Sequence, residues 1–363
     1  MPEGDSTDLF PHRTDDAIDF QSGFNQSLAD FTFNDSDRGP ADRARERQAA
    51  PPMTEFSHPD FLFTRPLQGV IPPLITPLTD RDTIDESGTE RLINHVIAGG
   101  VAGVFVLGST GEAPSLSYRL RRDFIQLASS IIDSRVPLMV GITDTSFVES
   151  VELARVAADA GAAAVVLSTP YYFPAGQTEL TQYVEHIIEE LPLPLMLYNI
   201  PVLTKVAFEI DTLRYLSKYP QIVGVKDSGG DMDYFRELLT LRELRPDWTI
   251  LIGPEHLLAA AVQAGGDGGV NGGANVFPKL FTSMFVAARD GDTERVTELQ
   301  EQINNLQPIY DVGKYASRFI KATKCAASLR GLCSDHMAEP FNHFFDPERR
   351  KVAAVIEQVN EIP

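Results

Sequence analysis

The sequence predicts an α/β fold, a (β/α)8 TIM barrel with a helical region appended after it. Three observations lead there. From Gly69 onward, eight short apolar runs recur about 25–30 residues apart, each ending in Gly, Pro, Ser, Thr or Asn. Stretches with apolar residues at helical spacing separate them. The runs are continuous rather than alternating, as strands covered on both faces must be. Eight such units make a barrel of about 250 residues. A chain of 363 residues, 43% of them hydrophobic, can hold one with a full core. The competing architecture, a doubly wound open sheet, would show fewer strands and a Gly-x-Gly-x-x-Gly turn after the first, which is absent.

In chain order, residues 1–60 stand apart: they carry 13 acidic and five basic residues, a net charge of −8, with no sustained period. Asp35–Pro52 reads as a disordered linker, and the whole segment as a solvated extension without a catalytic role. Met53 is an alternative start. The barrel is expected over 66–289. Its runs are GVIPPLITPL (69–78), AGVFVLGSTGE (102–112), PLMVGIT (137–143), AAAVVLSTPYY (162–172), PLMLYNIP (194–201), IVGVKDS (222–228), TILIGPE (249–255) and GGVNGGAN (268–275). Between the first two lies a helix over Asp85–Gly100, where Ser87 and Glu90 suit a capping box and Gly99–Gly100 a stop. The segment 146–162 repeats that design. Helical stretches over 290–363 exceed what closes a barrel and form the appended region.

Charge and composition exclude several classes. With 51 acidic against 31 basic residues, the net charge of −20 opposes nucleic-acid and anionic-membrane partners. No apolar run approaches the ~18–20 residues of a membrane span, and no secretory leader pattern opens the chain. Cys325 and Cys333 make no disulfide framework. These features predict a soluble, reducing, cytoplasmic setting. Of the seven histidines, only His256 falls at a strand end, and no metal-ligand spacing is visible, so no metal is expected.

In such barrels chemistry collects at the C-terminal strand ends. Lys226, in IVGVKDSGGD, ends an apolar strand. If Gly224, Lys226 and Ser228 face the interior, Val223, Val225 and Asp227 face the helices. An inward lysine loses hydration, which lowers its pKa and leaves free amine able to attack a carbonyl. The alternative is a structural lysine paired with a carboxylate on a neighbouring strand; taken alone, the two readings are balanced. Tyr198 ends the adjacent strand level with Lys226, where a phenol can relay protons or merely bond a carbonyl in the core. In GSTGE, glycines allow a tight turn, and Ser109 and Thr110 add hydroxyl donors for an anion. NGGAN (271–275) admits a phosphate-loop reading.

With GSTGE, TPYY, YNIP and GVKDSGGD in this order, roughly residues 66–345 resemble the dihydrodipicolinate synthase / N-acetylneuraminate lyase family, pyruvate-handling class I aldolases on (β/α)8 barrels. The resemblance implies that Lys226 forms an imine with pyruvate or a 2-oxo acid, with no other cofactor. Tyr198 would be the acid/base. Ser109 and Thr110 would hold the carboxylate, with Gly111 shaping the loop. Tyr172 would complete the relay from a neighbouring subunit of a homo-oligomer, a dimer or a tetramer. Val270 and Asn271 would flank the pyruvyl group. Ser228, Glu255, His256 and Asn271 would meet the variable end of the substrate.

Departures bear on the acceptor. The synthases carry an arginine two residues after Tyr-Asn-x-Pro to bind the aldehyde's carboxylate; here Leu203 stands there, with Lys205 two residues further on. YNIPVLTKV instead looks like the lyase version, although the serine that lyases use on strand eight aligns with Gly272. KDSGGD also occurs in 4-hydroxy-2-oxoglutarate and 2-keto-3-deoxy-sugar-acid aldolases of the family. The expectation is a lyase joining or separating pyruvate and an aldehyde. 4-Hydroxy-tetrahydrodipicolinate synthase, or a barrel that binds a 2-oxo acid without turnover, are the alternatives.

Overall fold

The computed structural model describes residues 65–360 and 362. The predicted acidic extension, its linker Asp35–Pro52 and Met53 lie outside the described residues. Each of the eight apolar runs contains a strand of one parallel sheet: β1 (Gly69–Val70), β2 (Val104–Val106), β3 (Leu138–Gly141), β4 (Ala164–Ser168), β5 (Leu195–Asn199), β6 (Ile222–Asp227), β7 (Thr249–Ile252) and β8 (Gly268–Gly269). Pairing runs in sequence from β2 to β8 and on to β1. The seam between β1 and β2 is closed by the chain just after β1. Ala102 N donates to Val70 O at 2.8 Å, Leu74 N to Phe105 O at 2.7 Å, and Pro73 pairs with Phe105 in parallel. A small hairpin, Leu78–Asp80 with Thr83–Ile84, lies outside the barrel sheet.

Helices follow the strands: α1 (Glu86–Ala98), α2 (Tyr118–Ile132), α3 (Phe147–Asp159), α4 (Gln177–Glu190), α5 (Ile210–Leu216), α6 (Met232–Leu239), α7 (Leu258–Gln263) and α8 (Pro278–Asp290). Beyond this eighth unit come α9 (Thr293–Leu306), α10 (Arg318–Leu329) and α11 (Asp346–Ile356). The cap of α1 differs from the expected capping box at Ser87. Asp85 caps it, with Oδ1 accepting from Gly88 N at 2.8 Å, and Ser87 Oγ donates to the same carboxylate. A carboxylate at a helix N-terminus also meets the positive end of the helix dipole. At α3 the expected serine does cap: Ser146 Oγ accepts from Glu149 N.

Two apolar clusters form the core. The larger packs helices against the outer faces of the strands, and the smaller fills the barrel axis with Ile71, Phe105, Met139, Val166, Met196, Val223, Leu251 and neighbours. Val223 sits in that inner cluster and Val225 in the outer one, so the expectation that both face the helices is corrected for Val223. The cause is a bulge. Leu195 pairs with Ile222 and Met196 with Gly224, which leaves Val223 as an extra residue on β6. Strict alternation resumes afterwards and turns Lys226 inward. Gly224 permits the bulge because a Cβ there would lie 2.0 Å from Thr249 O on β7.

Candidate active site

Tyr198 on β5 and Lys226 on β6 are direct register partners, as their strand-end positions predicted. Lys226 is 4% exposed, and its Nζ lies 3.9 Å from the Tyr198 ring centroid and 5.1 Å from that of Phe105. Burial pulls the ammonium below the ordinary lysine range, opposed by the charge and hydrogen bond of the Tyr198 hydroxyl. Among the described residues no carboxylate pairs with it. The adjacent Asp227 is committed elsewhere: Oδ1 accepts from Asn199 Nδ2 at 2.7 Å and Gly229 N at 3.1 Å. The environment therefore shifts Lys226 toward the neutral, nucleophilic amine, and no carboxylate among the described residues marks it as half of a structural ion pair.

Beside this pair, the C-terminal ends of β2–β5 enclose a cavity of about 210 Å³ whose lining includes Phe105, Gly108, Ser109, Tyr171, Tyr198 and Leu203. No charged side chain lines it among the described residues. The turn after β2 brings Ser109 there through unusual backbone. Leu107 and Glu112, neither a glycine, hold φ of 57° and 59° at its two ends. Gly111 N donates back to Gly108 O at 3.1 Å, and a Cβ on Gly111 would lie 2.9 Å from Leu74 O. A phenol and a hydroxyl-bearing turn thus line one small cavity, and the Lys226 amine lies against the Tyr198 ring without being one of the lining residues.

A sequence model of the dihydrodipicolinate synthetase family matches residues 66–359. The chain belongs to that family. Dihydrodipicolinate synthase from Bacteroides thetaiotaomicron, a solved structure, shares 48% identity over 81% of this chain and 99% of its own, with a TM-score of 0.79. YagE of Escherichia coli K12, solved in complex with pyruvate, shares 29% over 80% of this chain and 98% of its own, with a TM-score of 0.77. That protein's name carries the provisional assignment 2-dehydro-3-deoxy-D-gluconate aldolase. A 4-hydroxy-tetrahydrodipicolinate synthase of Methanopyrus kandleri is 35% identical over 239 residues, 65% of this chain and 79% of the relative.

The other residues expected to serve this dihydrodipicolinate synthetase family member fall into two groups. Val270 lies in the inner cluster near the axis. Asn271 is fully buried, donating from Nδ2 to Gly253 O at 3.1 Å, while its Oδ1 is buried with no partner among the described residues. Ser228 is half-buried, its N donating to Asn199 O at 2.8 Å. Thr110 is half-buried in the β2 turn and does not line the cavity.

Glu255 turns elsewhere. Its Oε2 accepts from Gly273 N at 2.6 Å and its Oε1 from Gln307 Nε2 at 2.8 Å, and burial pushes its carboxyl up. His256 is exposed. Tyr172 is 68% exposed and packs edge-on against Phe173, itself 78% exposed, outside the chain's own cavity.

Three contributors escaped the sequence. Tyr171, not its neighbour, lines the cavity, and burial followed by the Asp144 charge raises its pKa. The YY doublet was the available signal, but alternation cannot be counted past the end of a strand. Phe105 reads as an ordinary strand residue. Glu112 reads as part of an anion loop, yet its side chain is fully buried against Lys324 of α10.

Proposed function

We propose that the chain is a Schiff-base lyase/aldolase that makes or breaks a C–C bond between pyruvate and an aldehyde. The carrying observation is the buried, uncompensated Lys226 amine level with the Tyr198 phenol. The amine adds to the C2 carbonyl of the 2-oxo acid, and the carbinolamine loses water to give an iminium. The iminium withdraws the C3–C4 bonding electrons as the C4 hydroxyl proton leaves, releasing the aldehyde and an enamine. Protonation at C3 and hydrolysis return pyruvate and the amine; the reverse sequence forms the bond. Tyr198 shuttles these protons, which is worth roughly 10²–10⁴ in rate. Ser109 and Thr110 hold the substrate carboxylate on the turn shaped by Gly111, although only Ser109 lines the cavity as it stands, and Val270 and Asn271 flank the pyruvyl group. Ser228, Glu255 and His256 belong to the acceptor side of the same reading, although Glu255 would have to exchange its present partners to reach a substrate.

The cavity wall itself is uncharged: Leu203 and Ile200 stand among hydroxyls from Thr143, Ser168 and Tyr171. That suits the hydroxylated tail of a 2-keto-3-deoxy sugar acid or a sialic acid better than a carboxylate-bearing aldehyde, the group to which the acceptor half of 4-hydroxy-2-oxoglutarate also belongs. A second reading, condensation of pyruvate with aspartate semialdehyde, is favoured by the 48% identity to a dihydrodipicolinate synthase. A homo-oligomer, a dimer or tetramer, completes the proposal. The exposed Tyr172 and Phe173 rings support burial against a second copy, where Tyr172 would join a neighbour's relay. Among the described residues no helix is long and apolar enough to cross a membrane. Two buried free cysteines suit a reducing, cytoplasmic setting.

Borohydride reduction with pyruvate tests the imine. A stable adduct on the Lys226 peptide is expected, abolished in Lys226→Ala. Absence of any adduct with any 2-oxo acid would sink the reading. Cleavage of 2-keto-3-deoxygluconate, N-acetylneuraminate and 4-hydroxy-2-oxoglutarate, set against condensation with aspartate semialdehyde, then separates the two acceptors.

A further inference from the structure

Glu112 is the last residue of the turn that carries Ser109, and it is held from far away. Its Oε1 accepts from Lys324 Nζ on α10 at 2.6 Å, and both side chains are fully buried. Its Oε2 accepts from Ala338 N at 2.8 Å. Both anchors come from the region beyond the eighth β–α unit. The backbone of Glu112 adopts left-handed φ and ψ of 59° and 22° without being a glycine, a conformation that persists only where the surroundings impose it. On one side Glu112 N donates to Ser109 O at 3.1 Å; on the other Ser115 N donates to Glu112 O at 2.8 Å. Ser109, Ala113 and Pro114 all line the cavity. The carboxylate therefore stands between the hydroxyl that meets a substrate anion and the wall that follows it.

We propose that Glu112 and Lys324 are positioning residues: the buried ion pair fixes the left-handed turn, and through it the site of the 2-oxo acid's carboxylate. Neither touches substrate. The inference rests on the Schiff-base reading above. An ion pair buried this deeply is a costly way to gain stability alone. Its placement where a strained turn meets the cavity gives it a second use. Small misplacement of a binding group costs up to about a hundredfold in rate.

The test compares the wild-type chain with Glu112→Gln/Lys324→Met, which removes both charges at similar volume, and with Glu112→Gln alone. A bottom-of-barrel control is Asp267→Asn, whose buried carboxylate accepts from Ile250 N at 2.7 Å and pairs with Arg242. Each folded variant is assayed for pyruvate KM, kcat and the borohydride trapping rate at sub-saturating pyruvate. The expected result is a pyruvate KM raised, and trapping slowed, on the order of ten- to a hundredfold, with kcat at saturating pyruvate changed far less. Asp267→Asn should lower the melting temperature and leave KM alone. Wild-type kinetic constants in a folded Glu112 variant would overturn the inference while leaving the imine intact, as would failure of both Glu112 variants to fold. Absence of trapping in the wild-type protein would remove the Schiff-base reading first, and this inference with it.

Discussion

Replacing Tyr198 by phenylalanine removes one oxygen and little else. The ring stays in the inner cluster, over Nζ of Lys226 at the 3.9 Å observed now, so the amine keeps its apolar lid and its register. What disappears is the hydroxyl that bonds the amine and would carry protons to and from the imine. The stability cost is that of one hydrogen bond, about 1 kcal/mol, because no volume is emptied. Loss of general acid/base catalysis is about 10²–10⁴ in kcat/KM, or about 3–5 kcal/mol of transition-state stabilisation at 1.36 kcal/mol per factor of ten. The two effects separate in one set of assays. Thermal melting should shift by only a few degrees. Borohydride trapping with excess pyruvate should reach the wild-type end point more slowly, since Lys226 is untouched. Steady-state cleavage should fall by at least about a hundredfold. Turnover within a few fold of wild type would refute the proton-shuttle role, and a lost trapping end point would mean that the phenol holds the lysine rather than the protons.

Leu203→Arg places a cation on the cavity wall where the family's synthases bind a carboxylate; kcat/KM for aspartate semialdehyde relative to a neutral hydroxy acceptor should rise about tenfold or more, read in a competition assay. Lys226→Met should raise folding stability, with a pH signature. Burial lowers the lysine pKa from 10.5, so the unfolded chain binds the extra proton and wild-type stability climbs as pH approaches that value. The advantage of methionine in urea melts should therefore shrink from pH 7 toward pH 10.5 and vanish above it; an advantage constant with pH would contradict a depressed pKa. Gly224→Ala forces a Cβ to within 2.0 Å of Thr249 O, a backbone atom that cannot swing away. A loss of about 1–3 kcal/mol in chemical denaturation is expected, with a lowered imine trapping rate because Lys226 lies two residues on.

The barrel was legible because parallel strands buried on both faces leave an unmistakable pattern, eight apolar runs with small or polar ends, and each run does contain a strand. The pairing of Tyr198 with Lys226 was legible for the same reason, since both terminate adjacent runs. Single-residue phase was not. Val223 turns inward because β6 carries one residue more than β5 at that point, and an extra valine in IVGV looks like any other. Phase is equally undefined beyond a strand end, which is why Tyr171 and not Tyr172 lines the chain's own cavity. Asp85 outcompetes Ser87 as a cap by geometry that composition does not distinguish. Longer-range partners are invisible altogether: nothing near Glu112 or Glu255 announces Lys324, Ala338 or Gln307.

The distance along the chain between Glu112 and Lys324, 212 residues, sets an order of events during synthesis. The turn after β2 leaves the ribosome early, but the cation that neutralises its glutamate and the amide of Ala338 arrive only after all eight strands have emerged. Contacts of such separation form late, because their loop must close first. An unfinished chain can therefore assemble much of the sheet, Lys226 included, while the turn proposed to hold the substrate carboxylate lacks its final restraint. The enzyme would become able to capture a 2-oxo acid at the end of its own translation, and nascent chains would carry an amine not yet furnished with a place for the substrate to sit.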